Sequence, residues 1–337
     1  MKKFAEIEAF YQVVRTVAHL NAVEDLDDSR KVLTPVRYRG TVKLHGTNAG
    51  VRCTPDALVP QSRSTQLSED QDNQGFCRFI SGDVQQAAVR EIERRIRWAY
   101  GVDADDPLTI FGEWCGPGIQ KGCGIHKLPA RQFVVFAAYS DAKGYVGILG
   151  PSGGTFTTAG IHTILEGPTW YLDVDFSDQA SKEAAAELAT KHTSEVEAQC
   201  PWAALFGVDG VGEGIVWRPM ALHYGRSDLI FKTKGEKHKA TKSKTEVQVD
   251  PEILASVEAF VDFAVTDNRL AQGLDVLRES GHEIEPRSTG AYLKWVGQDV
   301  KRECSSNLEE SGLEWKQVSK AVTTKARDFF ISSMKVL

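Results

Sequence analysis

The sequence predicts an α+β domain over residues 1–245 followed by an all-helical domain over residues 246–337, and three features predict it. Short apolar or alternating runs, the mark of strands, recur through the first two-thirds of the chain, with helical stretches between them. Beyond Lys244 the strand signals stop, and Asp250-Pro251 offers a helix start, with Asp as cap and Pro at the first helical position. The length of 337 residues exceeds what one core usually supports, so two domains are expected.

Each element has its own warrant. Phe4 to Val17 forms an amphipathic stretch, and an acidic patch (Glu24, Asp25, Asp27, Asp28) precedes Pro35. Thr41 to Arg52 reads as strands interrupted by a Gly-containing turn. Residues 83–100 read as a helix capped by Asp83, with Val84, Ala88, Ile92, Ile96 and Tyr100 on one face. Leu108–Trp114 and Phe133–Tyr139 are apolar enough for buried strands. The second is followed by Ser-Asp-Ala-Lys-Gly and then Tyr145–Leu149, a hairpin pattern. Gly150–Gly160 reads as a loop, Asp178–His192 as a helix, and Gly214–Trp217 and Asp228–Lys234 as strands. The tail reads as three or four helices, broken at Gly281–Pro286 and Ser305–Gly312.

Composition narrows the function. With 42% hydrophobic and 26% charged residues the chain is of ordinary globular type, which argues against disordered, collagenous and coiled-coil classes. A net charge of −6 argues against wholesale coating of a polyanion. The longest wholly apolar run, Phe133–Tyr139, is too short to span a bilayer, so no membrane partner is expected. Glu6 and Glu8 stand where a signal peptide needs apolar residues, and the six cysteines form no CxxC pair. A cytoplasmic location with reduced thiols is the expectation.

The chemistry concentrates in six short words. Lys43-Leu44-His45-Gly46-Thr47-Asn48 comes first, then Arg63 within Ser-Arg-Ser and Glu113 within Phe-Gly-Glu-Trp. Phe136 closes Phe-Val-Val-Phe, Glu213 opens Glu-Gly-Ile-Val-Trp-Arg, and Lys232 and Lys234 lie in Phe-Lys-Thr-Lys. Lys232 and Lys234, two apart on a strand, project from one face and can both reach a phosphate. The run Lys232–Lys244 holds six Lys and one Glu, a local excess of positive charge that suits a phosphate backbone.

This ordered set resembles the nucleotidyltransferase motifs of ATP-dependent polynucleotide ligases. His45 and Asn48 make it similar to RNA ligases of the nick-sealing class, the phage double-strand RNA ligases and trypanosome RNA-editing ligases. DNA ligases and capping enzymes typically carry Asp where His45 stands. The resemblance covers residues 41–234 and implies an adenylation domain of antiparallel sheets flanked by helices. The helical tail then corresponds to the class's appended domain, expected to bind nucleic acid.

What the resemblance implies for the residues is specific. Lys43 is the nucleophile that attacks the α-phosphorus of ATP. Only a neutral amine attacks, and the usual lysine pKa of roughly 10.4 disfavours it, so Lys232, Lys234, Arg63 and Mg²⁺ or Mn²⁺ are expected to lower it. Phe136 stacks on adenine, Glu113 accepts from a ribose hydroxyl, and Glu213 is the metal-linked carboxylate. Arg218 stands where the family carries a basic residue, and His45 and Asn48 orient phosphates or the attacking 3′-hydroxyl end. One departure stands out: Ala137 occupies a position where the class often has Asp, so either the carboxylate's role is filled elsewhere, with Asp141 the nearest candidate, or a metal contact is missing.

The implied activity is sealing of 3′-OH/5′-phosphate nicks in duplex RNA or RNA–DNA hybrids, by a monomer, through enzyme-lysyl-AMP and RNA-adenylate. A ligase for broken single-stranded or tRNA-like ends is the alternative within enzymes. A catalytically inactive RNA-binding relative is the alternative outside them.

Overall fold

The computed structural model describes residues 1–23, 30–150, 159–238 and 257–334. The chain divides into two compact units, Met1–Gly235 and Glu236–Leu337. The acidic patch at 24–28, most of the 150–160 loop, the 245/246 boundary, the Asp250-Pro251 helix start and Lys239, Lys242 and Lys244 of the basic run lie outside the described residues.

The strands of the first unit are β1 (Glu8–Ala9), β2 (Val36–Lys43), β3 (Thr47–Cys53), β4 (Leu58–Ser62), β5 (Leu108–Cys115) and β6 (Gln132–Ser140). β7 (Gly144–Val146), β8 (Ile161–Thr163), β9 (Thr169–Val174), β10 (Gly214–Pro219) and β11 (Phe231–Lys234) follow. Its helices are α1 (Phe10–Ala22), α2 (Phe76–Ile80), α3 (Asp83–Tyr100), α4 (Gln179–Ala198) and the single turn α5 (Pro201–Ala204). One sheet runs β1-β11-β10-β2-β9, and the other runs β4-β3-β5-β6-β7 with β8 beside β6. The pairing is antiparallel, as expected, except where the short strands β1 and β8 join β11 and β6 in parallel.

The first sheet has two unlike faces, and alternation along β2 sets them. Val36, Tyr38, Gly40 and Val42 point inward, while Arg37, Arg39, Thr41 and Lys43 occupy the opposite face. The inner face packs on α1 and α4. Gly40 is required there, because a Cβ would fall 2.7 Å from the Trp217 ring. Trp217 is fully buried and donates Nε1–H to Thr233 Oγ1 at 3.0 Å, which satisfies its one polar atom.

α3 covers the expected residues but turns differently. Gly82, in extended conformation, occupies the N-cap; Asp83 lies in the first turn, where its charge complements the helix dipole without a capping hydrogen bond. Val84 and Tyr100 are exposed, and the buried line is Ala88, Val89, Glu93 and Ile96. Glu93 turns inward because Arg90 and Arg97 both pair with it at 2.8 Å and reach the carbonyls of Thr54 and Asp106. Asp178 does cap α4, its carboxylate accepting from the amides of Ala180 and Ser181. The second strand of the expected hairpin is shorter than predicted, closing with Ser140 opposite Gly144. β11 starts only at Phe231, because Ser227–Leu229 forms a 3₁₀ turn.

The second unit is helical: α6 (Val257–Ala264), α7 (Asp267–Glu279), α8 (Thr289–Glu303), α9 (Ser305–Glu310) and α10 (Trp315–Met334). Phe260, Tyr292, Val296, Val300, Val318, Val322 and Phe330 form its core. Of the two expected breaks, Gly281–Pro286 interrupts the helices, whereas Ser305–Gly312 is mostly α9. Buried Leu308, whose amide bonds to the Cys304 carbonyl at 3.0 Å, holds that turn helical.

Candidate active site

Lys43 is the last residue of β2, and the strand register brings its partners. Gly214 lies opposite Lys43 in β10 and opposite Lys234 in β11, so the two lysines flank a glycine. Lys232 lies opposite Val216, which lies opposite Thr41. All these side chains share the outer face, since directly paired residues project together. Gly214 is needed at the centre: its φ is +152°, and a Cβ would sit 2.0 Å from the Thr233 carbonyl oxygen.

Glu213, one residue before β10, fills the space between the lysines. Its carboxylate lies 2.7 Å from Lys43 Nζ, 3.3 Å from Lys234 Nζ and 3.4 Å from His45 Nδ1, and the residue is 5% exposed. Burial by itself would raise the Glu213 carboxyl, but Lys43, Lys234 and His45 outweigh it and hold it well below the usual carboxylate range. Burial likewise favours a neutral Lys43, yet Glu213 and then Glu113 outweigh it and lift the amine above its ordinary pKa. The expectation that neighbouring cations depress Lys43 is therefore corrected. The carboxylate in direct contact dominates, and Glu213 keeps Lys43 protonated.

The second sheet supplies the facing groups. Asn48 in β3 lies opposite Glu113 in β5. Glu113 Oε1 accepts from the Gly46 amide at 3.0 Å and so fastens the His45–Gly46 turn to β5. Only glycine fits at that turn, because a Cβ on Gly46 would fall 2.4 Å from the Trp114 carbonyl oxygen. Asn48 Oδ1 and Arg63 Nε, the latter just past β4, are buried with no hydrogen-bond partner among the described residues, whereas Glu213 Oε2 is met by the Lys43 ammonium. Buried polar atoms are rarely left unsatisfied, so a donor and an anion are wanting here.

Phe136 in β6 is half-buried. Its ring meets Phe4 at 5.1 Å edge-on, and the Arg218 guanidinium lies 5.4 Å from both rings. Burial lowers the pKa of Arg218, and nearby Arg39 lowers it further. Ala137 belongs to the apolar cluster with Phe4 and Phe111, where a carboxylate would be buried without a counter-charge. Asp141 does not replace it. It is bound bidentately to Arg52 at 2.5 and 3.1 Å, and Arg52 stands four residues, about 13 Å, along β3 from Asn48.

Sequence reasoning missed Phe4 and Arg39. Phe4 carried no local signal, because its contacts to Phe111, Phe136 and Tyr145 are long-range. Arg39 was legible, being four residues before Lys43 and hence on its face.

Among the described residues no group of three His, Cys, Asp or Glu is placed to hold a metal. The hard-oxygen donors present, the Glu213 carboxylate and the unpartnered Asn48 Oδ1, suit an ion that takes its remaining ligands from phosphate and water. Cys115 and Cys123 are buried, with thiols pushed up by burial.

The register sets Lys43 and Lys234 on either side of Gly214 with Glu213 in contact with both, and a hydrogen bond ties the Gly46 turn after Lys43 to Glu113 of the second sheet. The RNA ligase family model matches residues 37–234, more than half of the chain, and the chain belongs to the RNA ligase family. Comparison with curated proteins yields no match. Among solved structures the chain is similar to a Naegleria gruberi RNA ligase mutant with AMP and Mn, at 16% identity and a TM-score of 0.40. That match covers 70% of this chain and 56% of the Naegleria chain. The same ligase with PPi gives 17% identity and a TM-score of 0.40, over 70% and 56% of the two chains. This chain thus spans little more than half the length of the solved ligases it matches. No helix among the described residues is long and apolar enough to cross a membrane.

Proposed function

We propose that this chain is an ATP-dependent RNA ligase that seals 3′-OH/5′-phosphate nicks in duplex RNA or RNA–DNA hybrids, with Lys43 as nucleophile. The observation that supports it most is the register Lys43–Gly214–Lys234 around buried Glu213. A binding protein has no need to bury a lysine against a carboxylate at the mouth of a cationic face.

The chemistry runs in three transfers. Lys43 Nζ gives up its proton to water, and the neutral amine attacks the α-phosphorus, forming a P–N bond as the bond to pyrophosphate breaks. AMP then passes from Lys43 to the RNA 5′-phosphate, and the amine leaves as it regains a proton. The 3′-hydroxyl attacks the activated phosphate and expels AMP. Lys232, Lys234 and Arg63 offset the charge on phosphate oxygens, while Phe136 offers its ring to adenine and Glu113 holds the turn that carries His45. Glu213, with the Asn48 carbonyl oxygen, would hold a divalent cation, Mg²⁺ or Mn²⁺, which would supply further positive charge to the transfer. The helical unit, residues 246–337 in this reading, grips the nucleic acid, and the protein acts as a cytoplasmic monomer.

The test is to incubate the protein with Mg²⁺ and α-labelled ATP, denature one portion, and offer the remainder nicked duplex RNA or single-stranded RNA. The chain should carry acid-labile label and pass it to the nicked duplex in preference. A chain that takes no label would end the ligase reading. Equal transfer to single-stranded ends would replace nick sealing with end joining.

A further inference from the structure

We infer that Arg39 and Arg218 form a phosphate cradle for the RNA strand, with Tyr171 beside them as a stacking platform for a base. This inference rests on the ligase reading and names the surface that holds its substrate.

The register puts the three residues together. Arg39 in β2 lies opposite Arg218 in β10 on one side and opposite Tyr171 in β9 on the other. All three share the outer face with Lys43, while Tyr38, Gly40 and Trp217 fill the inner one. Like charges directly opposite in a ladder repel. Among the described residues neither guanidinium has a carboxylate partner, and Arg218 is held only over the rings of Phe4 and Phe136. Two guanidiniums set side by side without a counter-ion are costly in the free protein. An anion between them reverses that cost, and planar guanidinium forks match phosphate oxygens.

The anion is not the ATP phosphate. The pair Lys43–Gly214 and the pair Arg39–Arg218 are four residues apart in the same ladder, about 13 Å. A nucleotide with its phosphate at Lys43 and its base against Phe136 occupies that interval. The Arg39–Arg218 pair therefore needs a second phosphate, which an RNA strand carries at every nucleotide. Tyr171 extends the same strip to the sheet edge. It is 45% exposed on β9, the terminal strand of the sheet order, and the Arg37 guanidinium lies 5.2 Å over its ring. An exposed aromatic between arginines is the arrangement that stacks bases while tracking a backbone.

The test measures binding of the full chain to a nicked RNA duplex across a series of salt concentrations, alongside self-labelling with ATP. Arg39→Gln should lower the slope of log affinity against log salt by about one, the signature of one lost phosphate contact. Arg39→Lys should retain the slope. Tyr171→Ala should weaken binding several-fold without changing the slope, and Tyr171→Phe should restore it. Self-labelling should persist in all four variants. Because Arg39→Gln removes a like-charge neighbour, it should melt no lower than the parent. An unchanged slope in Arg39→Gln, or no RNA binding by the parent chain, overturns the proposal. So does a fall in self-labelling parallel to the fall in RNA binding, which would assign the pair to ATP. If the parent binds RNA with the expected slopes but never takes label, the cradle stands and the ligase chemistry fails.

Discussion

Each unit of the molecule contains a buried ion cluster that joins separate elements, and the two are built on opposite principles. In the helical unit Arg269 is fully buried, and its guanidinium is spent on Asp299 at 2.8 Å, Glu303 at 2.9 Å and the carbonyl of Ala264. Arg302 also pairs with Asp299, so charge is matched and every fork of the arginine is used. In the first unit Glu213 is one carboxylate among Lys43, Lys234 and His45, on a sheet face that also carries Lys232, Arg218 and Arg39. The first cluster is closed and neutralised. The second stands on a sheet face rich in lysine and arginine, and among the described residues Asn48 Oδ1 and Arg63 Nε of the same motifs have no hydrogen-bond partner. The first ties helices together, while the second joins the end of one strand to the start of its neighbour on a face lined with cationic residues.

The largest effect should come from the Glu213 cluster through activity alone. Lys43→Ala should abolish AMP labelling outright while leaving the melting temperature close to that of the parent, because Glu213 keeps Lys234 and His45. Lys43→Arg should fail as completely, since a guanidinium stays protonated and cannot attack. Labelling that persists in either variant would move the nucleophile elsewhere.

The closed cluster should show the reverse pattern, in stability. Arg269→Met leaves buried Asp299 and half-buried Glu303 short of their counter-charge and should cost about 3–5 kcal/mol, read from denaturant unfolding. Glu213→Gln should cost less, about 1–3 kcal/mol, because the lysines it abandons are partly exposed and can turn to water. Its pH dependence has a defined sign. The Glu213 carboxyl is depressed in the folded chain, so its contribution is present above the ordinary carboxylate pKa of about 4.3 and is lost as pH falls below that. The stability gap between parent and Glu213→Gln should therefore close in acid. A gap that stays constant from neutral pH to about pH 3 would mean that Glu213 is not held ionised by the lysines.

The smallest effect tests the aromatic wall. Phe136→Ala should weaken ATP use by roughly 1–3 kcal/mol, the scale of base–aromatic stacking, and Phe136→Trp should be tolerated. Equal losses in both, accompanied by a drop in melting temperature, would make Phe136 a packing residue against Phe4.

Much of the site was legible in the chain. Period-two alternation identifies the strands and places Lys232 with Lys234 and Arg39 with Lys43, because side-chain direction on a strand follows from backbone geometry. The span of α3 and the start of α4 were readable for the same reason, since an apolar period or a capping Asp is a local property, while α4 runs on to Ala198, six residues past the expected end. The face that α3 buries was not, because Glu93 is turned inward by arginines that reach carbonyls of distant residues. The charge state of Lys43 was also beyond the sequence. It depends on which of several nearby charges makes contact, and a carboxylate at 2.7 Å outweighs cations whose presence alone the motifs announce. The sequence by itself determined strands, helices and the roster of cationic residues, all consequences of local geometry. Only the tertiary structure decided that Glu213 bridges two lysines, that Phe4 backs Phe136 and that Arg39 faces Arg218, because strand register and packing join residues that the chain keeps far apart.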